Sequence, residues 1–156
     1  MKYIKLFEEL NPDNKQEILN NDYRIVYRGG RRILYNGMFF SEDEYHANTF
    51  SFGEHVRKYK IFTGKVLNLT KYNDEIIKNI DVYGYHFYFQ MHSSNIKDKW
   101  SIYLNNLRLS GDKGTILATR FEKEFEECDS IYGSDSGFEH SDVWYIKNKN
   151  HVEYEL

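Results

Sequence analysis

Histidine and cysteine, the residue types that most often bind metals or act as nucleophiles, both occur in this chain. The sequence has six histidines and one cysteine. No two histidines stand in an HxH or HExxH spacing, and one cysteine cannot build a thiolate zinc site. The pattern therefore predicts no metal site, and these histidines are interpreted as surface or partly buried side chains: His46, His55, His86, His92, His140 and His151.

Local context disfavours two further chemistries. Cys128 precedes an aspartate and has His140 downstream, but a lone cysteine in this setting is interpreted as a packed thiol. Gly29 and Gly30 are not followed by a helix with a suitably placed lysine, as a phosphate-binding loop requires.

An arginine, a serine and an acid stand in that order at the ends of predicted strands. They occur in Tyr27-Arg28-Gly29, Phe39-Phe40-Ser41 and Ser141-Asp142-Val143. This order resembles the ADP-ribosyltransferase family, whose signature is Arg, Ser and Glu. Shorter matches to small bacterial and phage members occur at Lys58–Phe62, Val66–Leu69, Cys128–Gly133 and Asp142–Asn148, so that the resemblance covers roughly residues 23–155.

The resemblance implies both a fold and an activity. The fold would be α+β, with two packed, mainly antiparallel sheets around an NAD cleft and flanking helices. The activity would be transfer of ADP-ribose from NAD, used as a substrate without a metal, to a macromolecular acceptor that is expected to be a protein. Small members of the family are often phage-borne or toxin-like, so the resemblance also implies an effector that acts on a host protein.

The resemblance also assigns roles to individual residues. Cleavage of the nicotinamide–ribose bond develops positive charge on the ribose, which a fixed carboxylate stabilises. Asp142 is the candidate for that carboxylate, and Arg28 is the candidate for a charge-assisted contact to the phosphate or ribose side of NAD. The remaining candidates are Ser41 for the pocket floor, Gly29 for close backbone approach, and Phe40, Phe50 or Tyr59 for ring stacking.

One position departs from the family pattern. The family has Glu where Asp142 stands, and often Glu or Gln where His140 stands. Aspartate is a methylene shorter than glutamate, so its carboxylate reaches less far toward the ribose. Glu139 and His140 lie in the same segment and are the alternative active groups. The departure supports a second hypothesis, a binding or inhibitory module that keeps the fold without catalysis.

Each candidate also has a purely structural interpretation. Arg28 can be a strand-end arginine, Ser41 a helix cap and Asp142 a turn residue. A third hypothesis is nucleic-acid binding through aromatic stacking and the arginines around Arg28. The formal net charge of −3 disfavours that hypothesis.

Local patterns predict the helices that would support these residues. Asn11 and Pro12 favour a helix start, and Ser41 to Glu44 resembles a capping box for a helix with Ala47 and Phe50 facing the core. Residues 82–89 fit either a buried strand or a helix. Helices are predicted at 3–10, 12–20, 97–109 and 114–127.

Runs of β-branched and aromatic residues predict the strands. Asn36-Gly37 favours a tight hairpin between 33–35 and 38–40. The predicted strands are 23–28, 38–40, 55–62, 65–69, 129–132, 142–146 and one near 152–154.

Composition sets the broad class. With 156 residues, 40% apolar and 29% charged, the chain is expected to form one domain over 1–156 with a sizeable core. It has no apolar run of the roughly 20 residues that span a bilayer. The single cysteine favours a reducing compartment, so a cytoplasmic location is expected.

Overall fold

The computed structural model describes residues 23–49, 51, 53, 55–80, 87, 95–135 and 138–154, with the backbone alone at 138–140. The predicted helices at 3–10 and 12–20 lie outside these residues, as do Phe50 and all of the 82–89 segment except Phe87.

Seven strands are described: β1 (Tyr23–Arg28), β2 (Met38–Ser41), β3 (Arg57–Phe62), β4 (Val66–Asn68), β5 (Ser130–Asp135), β6 (Phe138–Ile146) and β7 (Val152–Tyr154). They form one mixed sheet in the order β4-β5-β6-β2-β1-β3-β7. Neighbouring strands are antiparallel except β4 and β5, which run parallel. All of the described strands therefore belong to a single sheet, in place of the two packed sheets of the expectation.

Four α-helices are described: α1 (Glu44–Asn48), α2 (Leu69–Asn79), α3 (Ile96–Leu109) and α4 (Asp112–Glu127). The predictions at 97–109 and 114–127 are confirmed by α3 and α4. Stacked aromatic side chains pack α4 against α3 and α2. Trp100 of α3 stacks on Phe125 of α4 with ring centroids 5.1 Å apart, and Tyr72 of α2 stacks on Phe121 of α4 at 4.2 Å. Helices and sheet together confirm the α+β class.

Two hydrophobic clusters lie on opposite faces of the sheet, because neighbours along a strand point to opposite sides. Ile131 and Val143 belong to one cluster, whereas Tyr132 and Trp144 belong to the other. The first, the helix-side core, takes in the buried faces of α2, α3 and α4 and strand residues of β2, β4, β5 and β6. The second, the opposite-face core, consists of Val26, Met38, Phe40, Tyr59, Ile61, Tyr132, Trp144, Ile146 and Val152.

The segment after β3 differs from its prediction. The predicted strand at 65–69 is shorter, and Asn68 caps α2 by accepting hydrogen bonds from the backbone of Thr70 and Lys71. Leu69, Tyr72 and Ile76 then face the core at helical spacing. The Leu-Asn-Leu sequence is therefore the end of a strand and the start of a helix that was not predicted.

The predicted hairpin at Asn36-Gly37 is wrong, since residues 33–35 form no strand. Gly37 has a φ of +84° and donates its N–H to the carbonyl of Ile146 at 3.0 Å. The Asn36 side chain accepts from the backbone N–H of Lys149 at 2.9 Å. These two residues therefore dock the start of β2 against the end of β6.

Candidate functional site

The three strands that carry the predicted arginine, serine and acid are neighbours in the middle of the sheet. Tyr27 of β1 pairs with Ser41 of β2, and Ser41 pairs with Val143 of β6. With strands about 4.8 Å apart and about 3.3 Å of rise per residue, the Cα atoms of Arg28 and Asp142 lie roughly 12 Å apart.

Strand alternation divides the predicted site between the two faces. Arg28 and Asp142 share the face of the opposite-face core, where Phe40 and Tyr59 also lie. Ser41 and Gly29 point to the helix side. The structure thus brings four of the predicted residues to one face and turns two away from it.

Two hydrogen bonds fix the side chain of Arg28 at the end of β1. Nη1 donates to the carbonyl of Phe39 at 2.7 Å, and Nη2 donates to the hydroxyl of Tyr35. A guanidinium has five N–H donors, so this side chain keeps further donors for an anionic ligand.

Asp142 lies beside a buried phenol. Burial, and the Asp142 carboxylate to which the hydroxyl hydrogen-bonds, raise the pKa of Tyr132 well above its usual value. The phenol therefore stays protonated at neutral pH and donates to the carboxylate, which fixes the position of Asp142 on β6.

A second carboxylate lies next to Asp142. Glu42 Oε1 accepts from Trp144 Nε1 at 3.0 Å and pairs with the guanidinium of Arg24. Its backbone N–H donates to the carbonyl of Asp142 at 3.1 Å. We call Arg24, Glu42, Tyr132, Asp142 and Trp144 the Asp142 cluster.

Four members of this cluster are not among the site residues predicted from the sequence: Arg24, Glu42, Tyr132 and Trp144. One sequence signal could have placed Arg24 here. Arg24 is two residues before the buried Val26, and residues two apart on a strand lie on the same face. The pairing of β2 with β6, which brings Glu42 to Asp142, leaves no local signal in the sequence.

Ser41 belongs to a buried network on the helix side. His46 Nδ1 lies 2.8 Å from Ser41 Oγ, and His46 Nε2 lies 3.0 Å from Asp135 Oδ2. The three residues are 0%, 1% and 6% exposed. The two ring nitrogens of His46 therefore join Ser41 to Asp135 through hydrogen bonds inside the fold.

The network resembles a hydrolase triad in composition only. Ser41 is fully buried, and its Oγ also accepts the backbone N–H of Asp43 at 3.0 Å. The network ties β2 and the end of β5 to α1. Neither His46, which was interpreted as a surface or partly buried side chain, nor Asp135 was predicted to take part.

The capping-box prediction for Ser41 is wrong. The N-cap of α1 is Asp43, whose carboxylate accepts from the backbone of Tyr45 at 2.9 Å and of His46 at 3.5 Å. The helix therefore starts two residues later than predicted, and Ser41 is free to face His46.

Gly29 has a packing role. A Cβ at this position would lie 2.7 Å from the carbonyl oxygen of Ala47 and from Cα of Ser51. Only glycine lets the end of β1 approach the chain around α1 this closely.

The candidate stacking rings are packed inside the fold. Phe40 and Tyr59 are 0% and 1% exposed and meet edge-to-face with centroids 5.2 Å apart. Burial, followed by the nearby Tyr154, raises the pKa of Tyr59 to about 12. Phe50 lies outside the described residues, and the side chains of Glu139 and His140 do as well.

The described residues contain no group of three or more His, Cys, Asp or Glu side chains that could hold a metal ion. None of the helices among them is long and apolar enough to cross a membrane. Cys128 is buried, which raises the pKa of its thiol, and Sγ donates to the carbonyl of Phe125 at 3.3 Å.

With this geometry established, the chain was compared with known proteins. No model of a protein family, no curated protein and no solved structure matches it.

Proposed function

We propose that this protein is a mono-ADP-ribosyltransferase, which transfers ADP-ribose from NAD to an acceptor protein. The observation that supports the proposal best is that Arg28 and Asp142 lie on one face of two central strands, β1 and β6, with β2 between them. Together with the resemblance of the surrounding motifs, this gives a cation for the diphosphate and a carboxylate for the reacting ribose.

The residues on this face suit the chemistry of NAD. The bond between the nicotinamide nitrogen and ribose C1′ breaks, its electron pair stays with nicotinamide, and positive charge develops on the ribose. Asp142 stabilises that charge while the Tyr132 hydroxyl holds the carboxylate in place. A nucleophile of the acceptor then bonds to C1′ and loses its proton to solvent.

Glu42 provides a second carboxylate next to Asp142, whose side chain is shorter than the glutamate of the family. Its carboxylate is held beside Asp142 by Trp144 and Arg24, and it is 19% exposed. Because Arg24 balances the charge of Glu42, the negative charge offered to the ribose is that of Asp142, and Glu42 adds a hydrogen-bond acceptor beside it.

A second candidate is a binding module with this architecture and no turnover. The observation that favours it is Ser41, which is fully buried and committed to His46 on the far side of the sheet. The floor of an NAD pocket is then missing one of its expected polar groups.

The test is incubation of the purified protein with labelled NAD and cell lysate. The transferase predicts labelled protein together with free nicotinamide, whereas the binding module predicts neither. A thermal-shift titration with NAD separates binding from turnover, since a ligand at 100 times its Kd stabilises the native state by about 2.7 kcal/mol.

A matched pair of variants tests the role of Arg28. Arg28→Ala should reduce the rise in melting temperature that NAD produces, whereas Arg32→Ala should not. Arg32 is a suitable control because its guanidinium lies over the ring of Tyr154, 4.1 Å from the centroid. An NAD-induced rise that is the same in both variants would remove Arg28 from the site.

A further inference from the structure

A half-open cavity of about 300 Å³ lies on the helix-side face of β1, β3 and β7. It is lined by Tyr23, Lys60, Phe62, Asn150, His151 and Glu153. The helix-side core takes its strand residues from β2, β4, β5 and β6, so this part of the face stands apart from that core. We call the cavity the Tyr23 pocket.

Three rings form the apolar part of the pocket. Tyr23 meets Phe62 edge-to-face at 5.6 Å, and Phe62 meets His151 edge-to-face at 5.0 Å. Rings in edge-on contact do not cover each other's faces as stacked rings do, and Tyr23 is 48% exposed. The pocket therefore offers flat aromatic surface to a ligand.

The polar part of the pocket carries both charges. Lys60 and Glu153 face each other across β3 and β7, and Lys60 Nζ lies 4.7 Å from the centre of the Tyr23 ring. His151 Nδ1 is a buried polar atom that has no hydrogen-bond partner among the described residues. A donor, an acceptor and aromatic surface thus converge in a volume typical of small-molecule sites.

We propose that the Tyr23 pocket binds the nucleobase and phosphate of a nucleotide that carries an exocyclic amino group on its base. The base packs on Tyr23 and Phe62, since every base has a π-face that stacks on aromatic side chains. The Glu153 carboxylate accepts from the exocyclic amino group. The Lys60 ammonium donates to a phosphate oxygen.

The polar residues of the pocket favour a nucleobase over other flat ligands. The edge of a phenyl ring has no hydrogen-bonding groups, so a phenylalanine side chain would make no polar contact with Glu153, whereas an exocyclic amino group donates to it. Adenine and cytosine present an amino group there, whereas uracil presents a carbonyl oxygen that repels a carboxylate. The pocket therefore selects AMP and CMP over UMP.

This site does not depend on the proposed transferase activity. The pocket lies on the helix-side face of the sheet, whereas Arg28 and Asp142 lie on the other. Its ligand is either a free nucleotide or a nucleotide within a single strand, because both present the same base and phosphate.

Calorimetric titration of the full chain with AMP, CMP and UMP tests the proposal. AMP and CMP should bind about tenfold more tightly than UMP, the value of one hydrogen bond to a charged group. Equal affinities for AMP and UMP, or no binding of AMP at millimolar concentration, would overturn it. A short oligoadenylate distinguishes the sources, since tighter binding than AMP indicates a single strand and equal binding indicates a free nucleotide.

Variants locate the bound nucleotide. Tyr23→Ala and Lys60→Gln should each weaken AMP binding about tenfold, while Glu153→Gln should bring the affinity for UMP up to that for AMP. Lys58→Gln is the matched control, because Lys58 lies on the same face of β3 and does not line the pocket. Unchanged AMP affinity in Tyr23→Ala, or an equal loss in Lys58→Gln, would place the nucleotide elsewhere.

Discussion

Two polar networks, one on each face of the sheet, meet the same end of β2 and differ in how completely they are enclosed. The network of Ser41, His46 and Asp135 is at most 6% exposed, and its three side chains are joined by hydrogen bonds. In the Asp142 cluster, Arg24 and Glu42 are 17% and 19% exposed. The adjacent residues Ser41 and Glu42 thus serve different networks, one suited to holding the fold and one able to meet a ligand.

The enclosed network should respond most strongly to mutation. Asp135→Ala removes the carboxylate that hydrogen-bonds to the buried His46 Nε2, and should lower the free energy of unfolding by about 3 kcal/mol. Urea denaturation measures this loss. Ser134→Ala is the control, because Ser134 is next to Asp135 on the opposite face of β5, and it should change stability by less than about 0.5 kcal/mol. An Asp135→Ala protein as stable as the wild type would show that the network does not hold the fold.

The Asp142 cluster should show the reverse pattern, a large effect on turnover and a small one on stability. Asp142→Asn keeps an acceptor for the Tyr132 hydroxyl and removes the charge. NAD turnover should fall about a hundredfold, equivalent to about 2.7 kcal/mol, while stability changes by less than about 1 kcal/mol. The measurements are nicotinamide release and urea denaturation.

Three further variants identify the acid. Asp142→Glu should keep or raise turnover if reach is limiting, whereas Glu139→Gln and His140→Ala should leave it unchanged. Full activity in Asp142→Asn combined with loss in Glu139→Gln would transfer the role to Glu139.

Glu42 tests how much of the Asp142 cluster is structural. Glu42→Gln keeps an acceptor for Trp144 Nε1 and removes the charge partner of Arg24, so stability should fall by about 1 kcal/mol. The exposed Glu126 serves as the control, and Glu126→Gln should fall within about 0.5 kcal/mol of the wild type. A loss as large as that of Asp135→Ala would erase the difference between the two networks.

The smallest effect is expected at the exposed rim of the helix side. The hydrogen bond from Lys65 Nζ, 3.0 Å long, lowers the pKa of Glu127, whereas burial raises the pKa of Glu124. Lys65→Gln should return the pKa of Glu127 toward its ordinary value with no measurable change in melting temperature. NMR titration of the carboxyl carbons measures the pKa.

The sign of any pH dependence at this rim follows from the lowered pKa. Because the folded pKa of Glu127 lies below its unfolded value, its contribution to stability is present above the unfolded pKa and is lost as the pH falls through the folded pKa. Lys123→Gln is the control, since Lys123 is the weakest of the influences on this pKa. A larger pKa change in Lys123→Gln than in Lys65→Gln would contradict this ranking.

Local pattern predicted the elements whose residues alternate or repeat clearly. β6 was predicted from its run of Val143, Trp144, Tyr145 and Ile146, and α3 and α4 from their helical spacing. The start of α2 was missed because Leu67 and Leu69 flank an asparagine that suits a turn as well as a helix cap. Local propensity alone does not decide between those two.

The networks could not be predicted, because they depend on contacts far apart in the sequence. His46 and Asp135 meet only because β5 pairs with β6 and β6 pairs with β2. The sequence did predict Arg28, Ser41 and Asp142 on separate strands. That Ser41 faces away from the other two depends on where β2 ends and α1 begins, and strand limits are the least certain part of a prediction.

The pairing of β2 with β6 has a consequence for folding during synthesis. Met38 pairs with Ile146 and Ser41 with Val143, which are about one hundred residues apart, whereas the paired strands β1 and β3 lie much closer together in the sequence. When β1, β2 and β3 have left the ribosome, the edge of β2 that pairs with β6 is therefore still open. It stays open until β6 is synthesised. Until then the hydrogen-bonding groups on that edge are open to other chains, so folding of this protein should be slow and sensitive to concentration.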